Sequence, residues 1–493
     1  MLSQHGNDDG GYEKKAINTV KRLLSLHGSE KIGADMGNRH KTEFSIAQSN
    51  RTFFIETYGC QMNKADSDSL AQMLRLNGYT ESQTPDKADI VVINTCSVRK
   101  TAENRIWGRL GFYKEMKRSR SILLILMGCM AQRLGDGAAD FKRLRGYGVD
   151  MVVGTFFRDK VPFLLEHYDP KADNIFVEKT DLTFPWSAPA LDNPLTSFVT
   201  ISHGCNNFCS YCIVPYLRGR ETSRPSDQII EDIQRLAGQG VIQVTLLGQN
   251  VNSYGLDNND IKFPQLLKRI CHETDIQWIK YESSHPKDFT EDLAEVIASE
   301  DKVSNYLHLA VQSGSNHILE KMNRKYRIED YIAKVQHIRQ LVPKLNLTTD
   351  VIVGFSGETE SDFQDTLTLM RTVEFDDAYM YKYNVRENTV SAKSMDDDVP
   401  EDVKLHRLQE LIDLQRQISD ERRHRRIGDI TEVIPVSVSK KSGEADKMNQ
   451  IHGLTKEELH VVYDAADPND KSVKKVKYTG VSGSTMLGEI INS

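Results

Sequence analysis

The chain has 493 residues, of which 39% are hydrophobic and 27% are charged, and its formal net charge is −7. That length exceeds the size at which a single hydrophobic core stops growing, so two or three domains are expected. The negative balance argues against broad, nonspecific nucleic-acid binding, and the longest apolar run, Ile122–Met127, is far too short to cross a bilayer.

The first fifty residues are polar and Gly-rich except for one segment, YEKKAINTVKRLLSLHG. Its apolar residues follow helical spacing, and Gly28 would end the helix. The N-terminal MLSQHGNDDGGYEKK lacks the apolar stretch of a signal peptide, and 7 cysteines in so long a chain do not predict a disulfide framework. We therefore expect residues 1–50 to form a polar extension with one amphipathic helix, on a cytoplasmic protein.

Three β-rich runs between residues 51 and 168 each end in a cysteine. They are TFFIETYGC, DIVVINTC and SILLILMGC, separated by amphipathic stretches such as SDSLAQMLRLNG. This alternation predicts a doubly wound parallel sheet. Ligands gather at the carboxyl ends of such strands, so Cys60, Cys96 and Cys129 are expected to converge there. A metal site of three thiolates is favoured over three unrelated buried thiols, which is the alternative interpretation.

The segment 169–193 contains Pro170, Pro185 and Pro189 and is predicted to be a linker. Across 194–428 the β/α rhythm returns, with six strand-like runs: SFVTIS, VIQVTLLGQN, QWIKYESS, NYLHLAVQSGS, NLTTDVIVGF and DDAYMYKYNV. Six such units predict a partial (β/α)6 barrel whose active site lies on the loops after the strands. The last segment, 429–493, is again β-rich.

The loop after the first of these strands, HGCNNFCSYC, holds Cys205, Cys209 and Cys212 in a Cys-x3-Cys-x2-Cys array. Structural zinc takes four protein ligands, whereas a four-iron cluster on three thiolates keeps one iron open. The aromatic Tyr211 before the last cysteine matches radical S-adenosylmethionine (SAM) enzymes, in which SAM binds the open iron. A zinc knuckle with a distant fourth ligand and a group of reduced thiols are the alternatives. Cys271, in FPQLLKRICHET, is predicted to be a core thiol.

The motifs YGCQMN, NTCSVR and MGCMAQ, followed by GCNNFCSYCIVPYLRGRE, resemble the radical-SAM methylthiotransferase family from about Arg51 to Gly428. The strings LLGQNVNSYG, SSHPKD, LAVQSGS, MNRKY and TDVIVGFSGETE resemble its MiaB branch. That branch adds a methylthio group to carbon 2 of N6-isopentenyladenosine beside the anticodon of certain tRNAs. Residues 429–493 occupy the place of the family's TRAM domain, a small β-barrel.

The resemblance implies two [4Fe-4S] clusters and SAM. The cluster ligands would be Cys60, Cys96 and Cys129 for an auxiliary cluster and Cys205, Cys209 and Cys212 for the radical cluster. One SAM would donate a methyl group to sulfur on the auxiliary cluster, and a second would yield the radical that removes hydrogen from carbon 2. The residues implied to line the SAM pocket are Tyr211, Gly248, Gln249, Asn250, Gln312, Arg324 and Asp350.

A tRNA anticodon stem-loop is the implied substrate, with an electron donor such as flavodoxin or ferredoxin and cluster-assembly proteins as partners of a monomer. Arginine suits contact with phosphates and base planes. The candidate RNA contacts are Arg218, Arg220 and Arg224 after the cluster loop, and Lys440 and Lys441 in the C-terminal segment. The basic run 422–426 fits either RNA binding or the C-terminal dipole of a helix.

Two other functions fit parts of this pattern. A sister branch of the family acts on threonylcarbamoyladenosine or on a ribosomal-protein aspartate, and differs in substrate alone. A noncatalytic Fe-S or zinc scaffold that binds RNA would use the cysteines for structure only. The sequence contains no Walker A, G-x-G-x-x-G or H-E-x-x-H string, so it lacks the usual signatures of NTP hydrolysis, dinucleotide redox chemistry and zincin proteolysis.

Overall fold

The computed structural model describes residues 51–97, 100–135, 137–180, 184–438 and 449–491. They belong to two compact units that divide between Trp186 and Ser187. The predicted amphipathic helix of residues 1–50 lies outside the described residues. Within the described ranges, every helix is too short or too polar to span a lipid bilayer.

The first unit is built on a six-stranded parallel sheet in the order β2-β1-β3-β4-β5-β6. The strands are β1 (Thr52–Tyr58), β2 (Thr80–Glu81), β3 (Ile90–Thr95), β4 (Leu123–Gly128), β5 (Met151–Val153) and β6 (Ile175–Phe176). The helices between and after them are Gln61–Leu76, Lys100–Ser119, Cys129–Gly135, Ala138–Gly146 and Val161–Glu166.

Two separate apolar cores cover the two faces of this sheet. Along β3, Ile90 and Val92 belong to one core while Val91 and Ile93 belong to the other. Strands buried on both faces read as continuous apolar runs, which is why DIVVINTC and SILLILMGC show no polar alternation. The predicted doubly wound parallel sheet is confirmed.

The second unit begins with six parallel strands in two groups, β7-β10-β11 and β12-β13-β14. Parallel bridges from Ile279 to Val303 and from Ser284 to Leu309 link the groups. Chain order gives β7 (Thr196–Thr200), β8 (Ser202–His203), β9 (Thr222–Ser223), β10 (Gln243–Leu247), β11 (Trp278–Tyr281), β12 (Tyr306–His308), β13 (Asn346–Val353) and β14 (Asp377–Lys382). The short strands β8 and β9 form a separate antiparallel pair. The six predicted parallel strands are confirmed.

Helices lie between and after these strands. They are Val214–Arg218, Ser226–Gly238, Phe263–Glu273, Glu291–Ser299, Asn316–Lys321, Ile328–Leu341, Glu360–Val373, Val390–Ser394 and Glu401–His424. The helix Glu360–Val373 begins with a capping box, in which the Thr359 hydroxyl accepts from the Asp362 amide and the Asp362 carboxylate accepts from the Thr359 amide. Cys271, in the helix Phe263–Glu273, belongs to the hydrophobic core between helices and strands, as predicted.

Alternation along the strands separates that core from a polar face. Leu307 and Leu309 in and beyond β12, and Leu347 and Val351 in β13, belong to the core. Because successive strand residues point to opposite faces, His308 and Asp350 lie on the other side, which we call the inner face. The inner face carries polar side chains where the core face carries aliphatic ones.

The last segment forms a closed β-barrel in the order β15-β16-β17-β19-β18, as expected for a small C-terminal β-barrel. Its strands are β15 (Ile430–Val438), β16 (Asn449–Thr455), β17 (His460–Ala465), β18 (Lys474–Ser482) and β19 (Thr485–Ile490). The turn between β16 and β17 packs against the preceding strands: the Asn346 amide donates to the Glu457 carbonyl at 2.6 Å, and Lys280 pairs with Glu458.

Candidate active site

The register of the first sheet brings three cysteines to one edge. Tyr58 of β1 pairs with Thr95 of β3, and Thr95 pairs with Gly128 of β4. Just beyond these paired residues, at the carboxyl ends of three adjacent strands, come Cys60, Cys96 and Cys129. We call these three residues the sheet-edge site.

A buried amide supports the sheet-edge site. Asn63 is fully buried, and its side-chain nitrogen donates to Asn94 Oδ1 at 3.0 Å and to the Thr95 carbonyl at 3.1 Å. The side-chain oxygen of Asn63 accepts from the Cys60 amide at 3.3 Å. Asn63 therefore joins the end of β1 to the end of β3. The motif YGCQMN contains Asn63, but the local pattern gives no sign of its partners on β3.

Gly128 permits the close approach of β3 and β4 beside these cysteines. Its φ is +98°, and a Cβ added to it would lie 2.5 Å from the Thr95 carbonyl oxygen. Any other residue would be strained there and would push the two strand ends apart. Cys129, the next residue, depends on this approach for its position beside Cys96.

The second set of cysteines lies in a single loop after β8. Cys205, Cys209 and Cys212, which we call the loop site, fall within eight residues, and the Cys212 amide donates to the Cys209 carbonyl at 2.9 Å. The loop is tied at its start, where the Cys205 amide donates to the Gly219 carbonyl at 3.2 Å. Gly204 has φ +80°, and an added Cβ would lie 2.1 Å from the Arg220 carbonyl oxygen.

Burial makes three adjacent thiolates costly at the loop site. Burial, with a smaller contribution from charge on Cys209, raises the pKa of Cys205 to about 11 and that of Cys212 to about 12. One cation is already present, because buried Arg324 donates from Nη1 to Cys209 Sγ at 3.3 Å. Iron would supply the remaining positive charge, since a coordinating thiol is held deprotonated. The donor set therefore fits a cluster held by three thiolates.

No group of three His, Cys, Asp or Glu side chains among the described residues is arranged to hold a single metal ion. A four-iron cluster binds each thiolate to a different iron atom, so its ligands need not converge on one point.

Arg324 also joins the loop site to the end of β12. Its Nη2 donates to the Ala310 carbonyl, and its Nε donates to the Tyr326 hydroxyl at 3.3 Å. The Tyr326 hydroxyl in turn donates to the Val311 carbonyl. Arg324 was predicted to line the SAM pocket, whereas Tyr326 was quoted only within MNRKY.

The residues after β10 brace the loops around this site. A Cβ on Gly248 would lie 2.5 Å from Ser202 Oγ, and the Gly204 amide donates to Gln249 Oε1. Asn250 accepts from the His285 amide at 3.1 Å and donates to Asp288 Oδ2 at 2.7 Å. Gln249 thus holds the cysteine loop, and Asn250 holds the loop after β11.

Three further predicted SAM residues lie in the segment after β12, within β13 and in the cysteine loop. The Gln312 amide donates to the Asp350 carbonyl at 2.8 Å, and Gln312 has φ +75°. The Asp350 carboxylate lies on the inner face and is partly exposed, while the Tyr211 ring stands edge-on to Phe355 at 6.3 Å.

The structure corrects part of the predicted RNA surface. Arg218 is 3% exposed and lies beside His203, and Arg224 is 2% exposed and pairs with Asp232 at 2.9 Å. Neither guanidinium is presented to solvent, so these two predicted RNA contacts are wrong. Arg220 is exposed, and its guanidinium lies 4.3 Å from the centre of the Phe208 ring.

The remaining basic candidates have different outcomes. Lys440 and Lys441 lie outside the described residues. In the run 422–426, Arg422 and Arg426 pair with Asp376, and Arg425 pairs with Glu374. These ion pairs favour the structural interpretation of the run over RNA binding.

A radical SAM enzyme is the class that the parallel strands and the loop site define, and residues 199–370 match the Radical SAM superfamily. That class implies a [4Fe-4S] cluster and SAM. Residues 52–154 match the Uncharacterized protein family UPF0004. The solved structure of the radical S-adenosylmethionine methyltransferase TsrM from Kitasatospora setae, with cobalamin and a [4Fe-4S] cluster bound, has a TM-score of 0.50 at 13% identity, covering 70% of this chain and 74% of that chain. This likeness shows the fold alone.

Two relatives that align with most of the chain show the family to which it belongs. A tRNA-2-methylthio-N(6)-dimethylallyladenosine synthase of Phocaeicola vulgatus is 40% identical over 468 residues, which cover 93% of this chain and 99% of that protein. Another, from Treponema denticola, is 43% identical over 407 residues, covering 79% of this chain and 89% of the relative. The chain belongs to the family of tRNA-2-methylthio-N(6)-dimethylallyladenosine synthases, which confirms the resemblance seen in its motifs.

Proposed function

We propose that this protein is a tRNA methylthiotransferase that converts N6-isopentenyladenosine next to the anticodon into its 2-methylthio derivative. The observation that carries the proposal is the 40% identity over 93% of the chain to a tRNA-2-methylthio-N(6)-dimethylallyladenosine synthase. Two sites of three cysteines in the same chain agree with a reaction that needs both a radical and a source of sulfur.

In this proposal the loop site holds the radical cluster, and the sheet-edge site holds an auxiliary [4Fe-4S] cluster. When bound, the clusters and SAM supply the methyl group, the sulfur and a radical able to break an aromatic C–H bond that acid–base groups cannot break. The chain's own residues prepare the two sites. Arg324 offsets negative charge at Cys209, and the burial of Cys205 and Cys209 limits the access of water to them.

Each part of the chain has a proposed task. Residues 51–168 carry the auxiliary cluster, 194–428 form the radical-SAM domain and 429–493 form the TRAM-like barrel. The predicted linker 169–193 leads from the first domain to the second, although its residues Ile175–Phe176 form the last strand of the first sheet. The proposed SAM pocket is lined by Tyr211, Gly248, Gln249, Asn250, Gln312, Arg324 and Asp350. Arg220, stacked on Phe208, is a proposed contact for the anticodon stem-loop. Lys440 and Lys441 remain proposed RNA contacts, and a flavodoxin or ferredoxin is the proposed electron donor of this monomer.

Mass spectrometry of tRNA nucleosides tests the substrate directly. Cells that lack the protein should accumulate N6-isopentenyladenosine and contain none of its 2-methylthio derivative. The wild-type gene should restore the derivative, and the Cys96→Ala gene should not. Normal levels of the derivative in the cells that lack the protein would refute the proposal.

Two outcomes of the same study identify the alternatives. Loss of a methylthio group from threonylcarbamoyladenosine, or from a ribosomal-protein aspartate, would assign the protein to a sister branch. Zinc in place of iron and acid-labile sulfide, with no SAM cleavage after reduction, would indicate the noncatalytic scaffold.

A further inference from the structure

A line of hydrogen bonds crosses the inner face from β12 to β13. His308 is buried, and its Nε2 lies 3.2 Å from Asp350 Oδ2 while its Nδ1 lies 3.0 Å from Thr348 Oγ1. The Thr348 hydroxyl donates to the Tyr306 hydroxyl at 3.1 Å. The imidazole is therefore held at both of its nitrogens, between a hydroxyl and a carboxylate.

The directions of these bonds define the protonation of His308. Thr348 uses its one hydroxyl proton toward Tyr306, so it must accept from His308 Nδ1. An ionised carboxylate only accepts, so Nε2 must donate to Asp350. With Nδ1 and Nε2 both acting as donors, this arrangement fits an imidazolium paired with the Asp350 carboxylate.

The charges around His308 agree with this state. Burial lowers the pKa of His308, but the charge of Asp350, its hydrogen bond and the charge of Glu282 raise it by more, so the net shift is upward. The titratable and charged groups that face this part of the inner face are Asp350, Glu282, Tyr306, Tyr379 and Lys280. Lys280, the one cation among these five, is drawn toward Glu458 rather than toward His308.

We propose that His308 is a positioning residue, which orients the Asp350 carboxylate to accept hydrogen bonds from the ribose hydroxyls of SAM. His308 engages Oδ2, and the Asp350 side chain stays 29% exposed, so the carboxylate can also accept from a ligand. A fixed ionised acceptor suits a vicinal diol, because hydrogen bonds to charged groups are stronger than neutral ones. This inference rests on the proposed function in taking SAM as the ligand.

SAM titration of the reconstituted holoenzyme tests His308 directly. His308→Ala should weaken SAM binding about tenfold, the low end of what a hydrogen bond to a charged group contributes. His308→Gln keeps an N–H donor for Asp350 but carries no charge, so it should recover part of that loss and match the wild type at high pH. Iron content should equal that of the wild type in both variants. The control is His272→Ala. The His272 side chain lies in the helix Phe263–Glu273, is 69% exposed and pairs with Glu300.

The pH dependence separates positioning from simple packing. In the wild type, SAM affinity should fall as pH rises through the raised pKa of His308, because the neutral imidazole keeps one N–H but loses the positive charge that pairs with Asp350. His308→Gln does not titrate and should show no such fall.

Wild-type affinity in His308→Ala, or a wild-type pH profile in His308→Gln, overturns the proposal. If His308→Ala loses its iron, the profile of His308→Gln decides the question. The same samples should be incubated with RNA that carries isopentenyladenosine. SAM cleavage by the wild type without methylthio product would refute the proposed function while leaving the binding result for His308 intact.

Discussion

The sheet-edge site and the loop site each contain three cysteines, but the chain brings them together in different ways. The loop site is encoded within eight consecutive residues, Cys205 to Cys212, and a short loop brings them together. The sheet-edge site takes one cysteine from each of three strand ends, so it exists only when β1, β3 and β4 pair in register. We therefore expect the loop site to tolerate damage to the sheet of its domain better than the sheet-edge site, which depends on the pairing of three strands.

The two sites also differ in what supports them. At the loop site a buried cation, Arg324, donates to a cysteine sulfur. At the sheet-edge site a neutral amide, Asn63, bonds to the backbone beside the cysteines, and its Oδ1 also accepts from Cys60 Sγ at 3.5 Å. Substitution of each support should therefore affect one site and leave the other unchanged.

Cys209→Ala should produce the largest effect, because it destroys the loop site and leaves the sheet-edge site intact. Two thiolates cannot hold a cluster with one open iron, so reductive SAM cleavage should disappear and iron content should fall by about half. The measurements are 5′-deoxyadenosine formation and iron analysis. Cys271→Ala is the matched control, because Cys271 lies in the apolar core and should leave both values unchanged. Undiminished SAM cleavage by Cys209→Ala would contradict the assignment of the radical cluster.

Cys96→Ala should have the opposite result, because it destroys the sheet-edge site and leaves the loop site intact. SAM cleavage should continue, while the methylthio product disappears, because the proposed sulfur-bearing site is lost. Iron content should again fall by about half, one of two similar clusters being absent. Product formation should be followed over several turnovers with an isopentenyladenosine stem-loop. Full product yield from this variant would show that the sheet-edge site is not the source of sulfur.

Asn63→Ala should have a smaller effect, because it weakens the support of the sheet-edge site without removing a cysteine. It leaves Asn94 Oδ1, the Thr95 carbonyl and the Cys60 amide without this partner, at a cost of about 1–3 kcal/mol in the stability of the first unit. The first unit should unfold at a lower temperature. Iron at the sheet-edge site should decrease, whereas SAM cleavage should be unchanged. Asn77→Ala is the control, since Asn77 is exposed and bonds only to the end of its own helix. Equal effects from the two variants would show that Asn63 has no special role.

Arg220→Ala should give the smallest effect, because it removes one exposed contact near the loop site. Binding of the modified anticodon stem-loop should weaken about fivefold, and the slope of log affinity against log salt should become shallower by about 1. Titrations at several salt concentrations measure both values. Lys268→Ala, an exposed residue of the helix Phe263–Glu273, is the control. A salt slope unchanged by Arg220→Ala would remove this arginine from the RNA surface.

The sequence by itself determined the parts of this protein that depend on short-range spacing. The loop site, the six parallel strands and the core position of Cys271 followed from local patterns, because a loop of eight residues or a buried strand has few alternative conformations. Family membership followed from strings of the same short length. The placement of the sheet-edge cysteines at neighbouring strand ends needed only the rule that ligands gather there.

Only the tertiary structure decided which polar side chains face solvent and which are buried among partners. Arg218, Arg220 and Arg224 look alike in sequence, but two of them are buried and one is exposed. The exposure of each depends on residues such as Asp232 and His203, which the local pattern does not connect to it. Asn63 and His308 were missed for the same physical reason: their hydrogen-bond partners lie on other strands, and pairing between strands is set by the whole sheet.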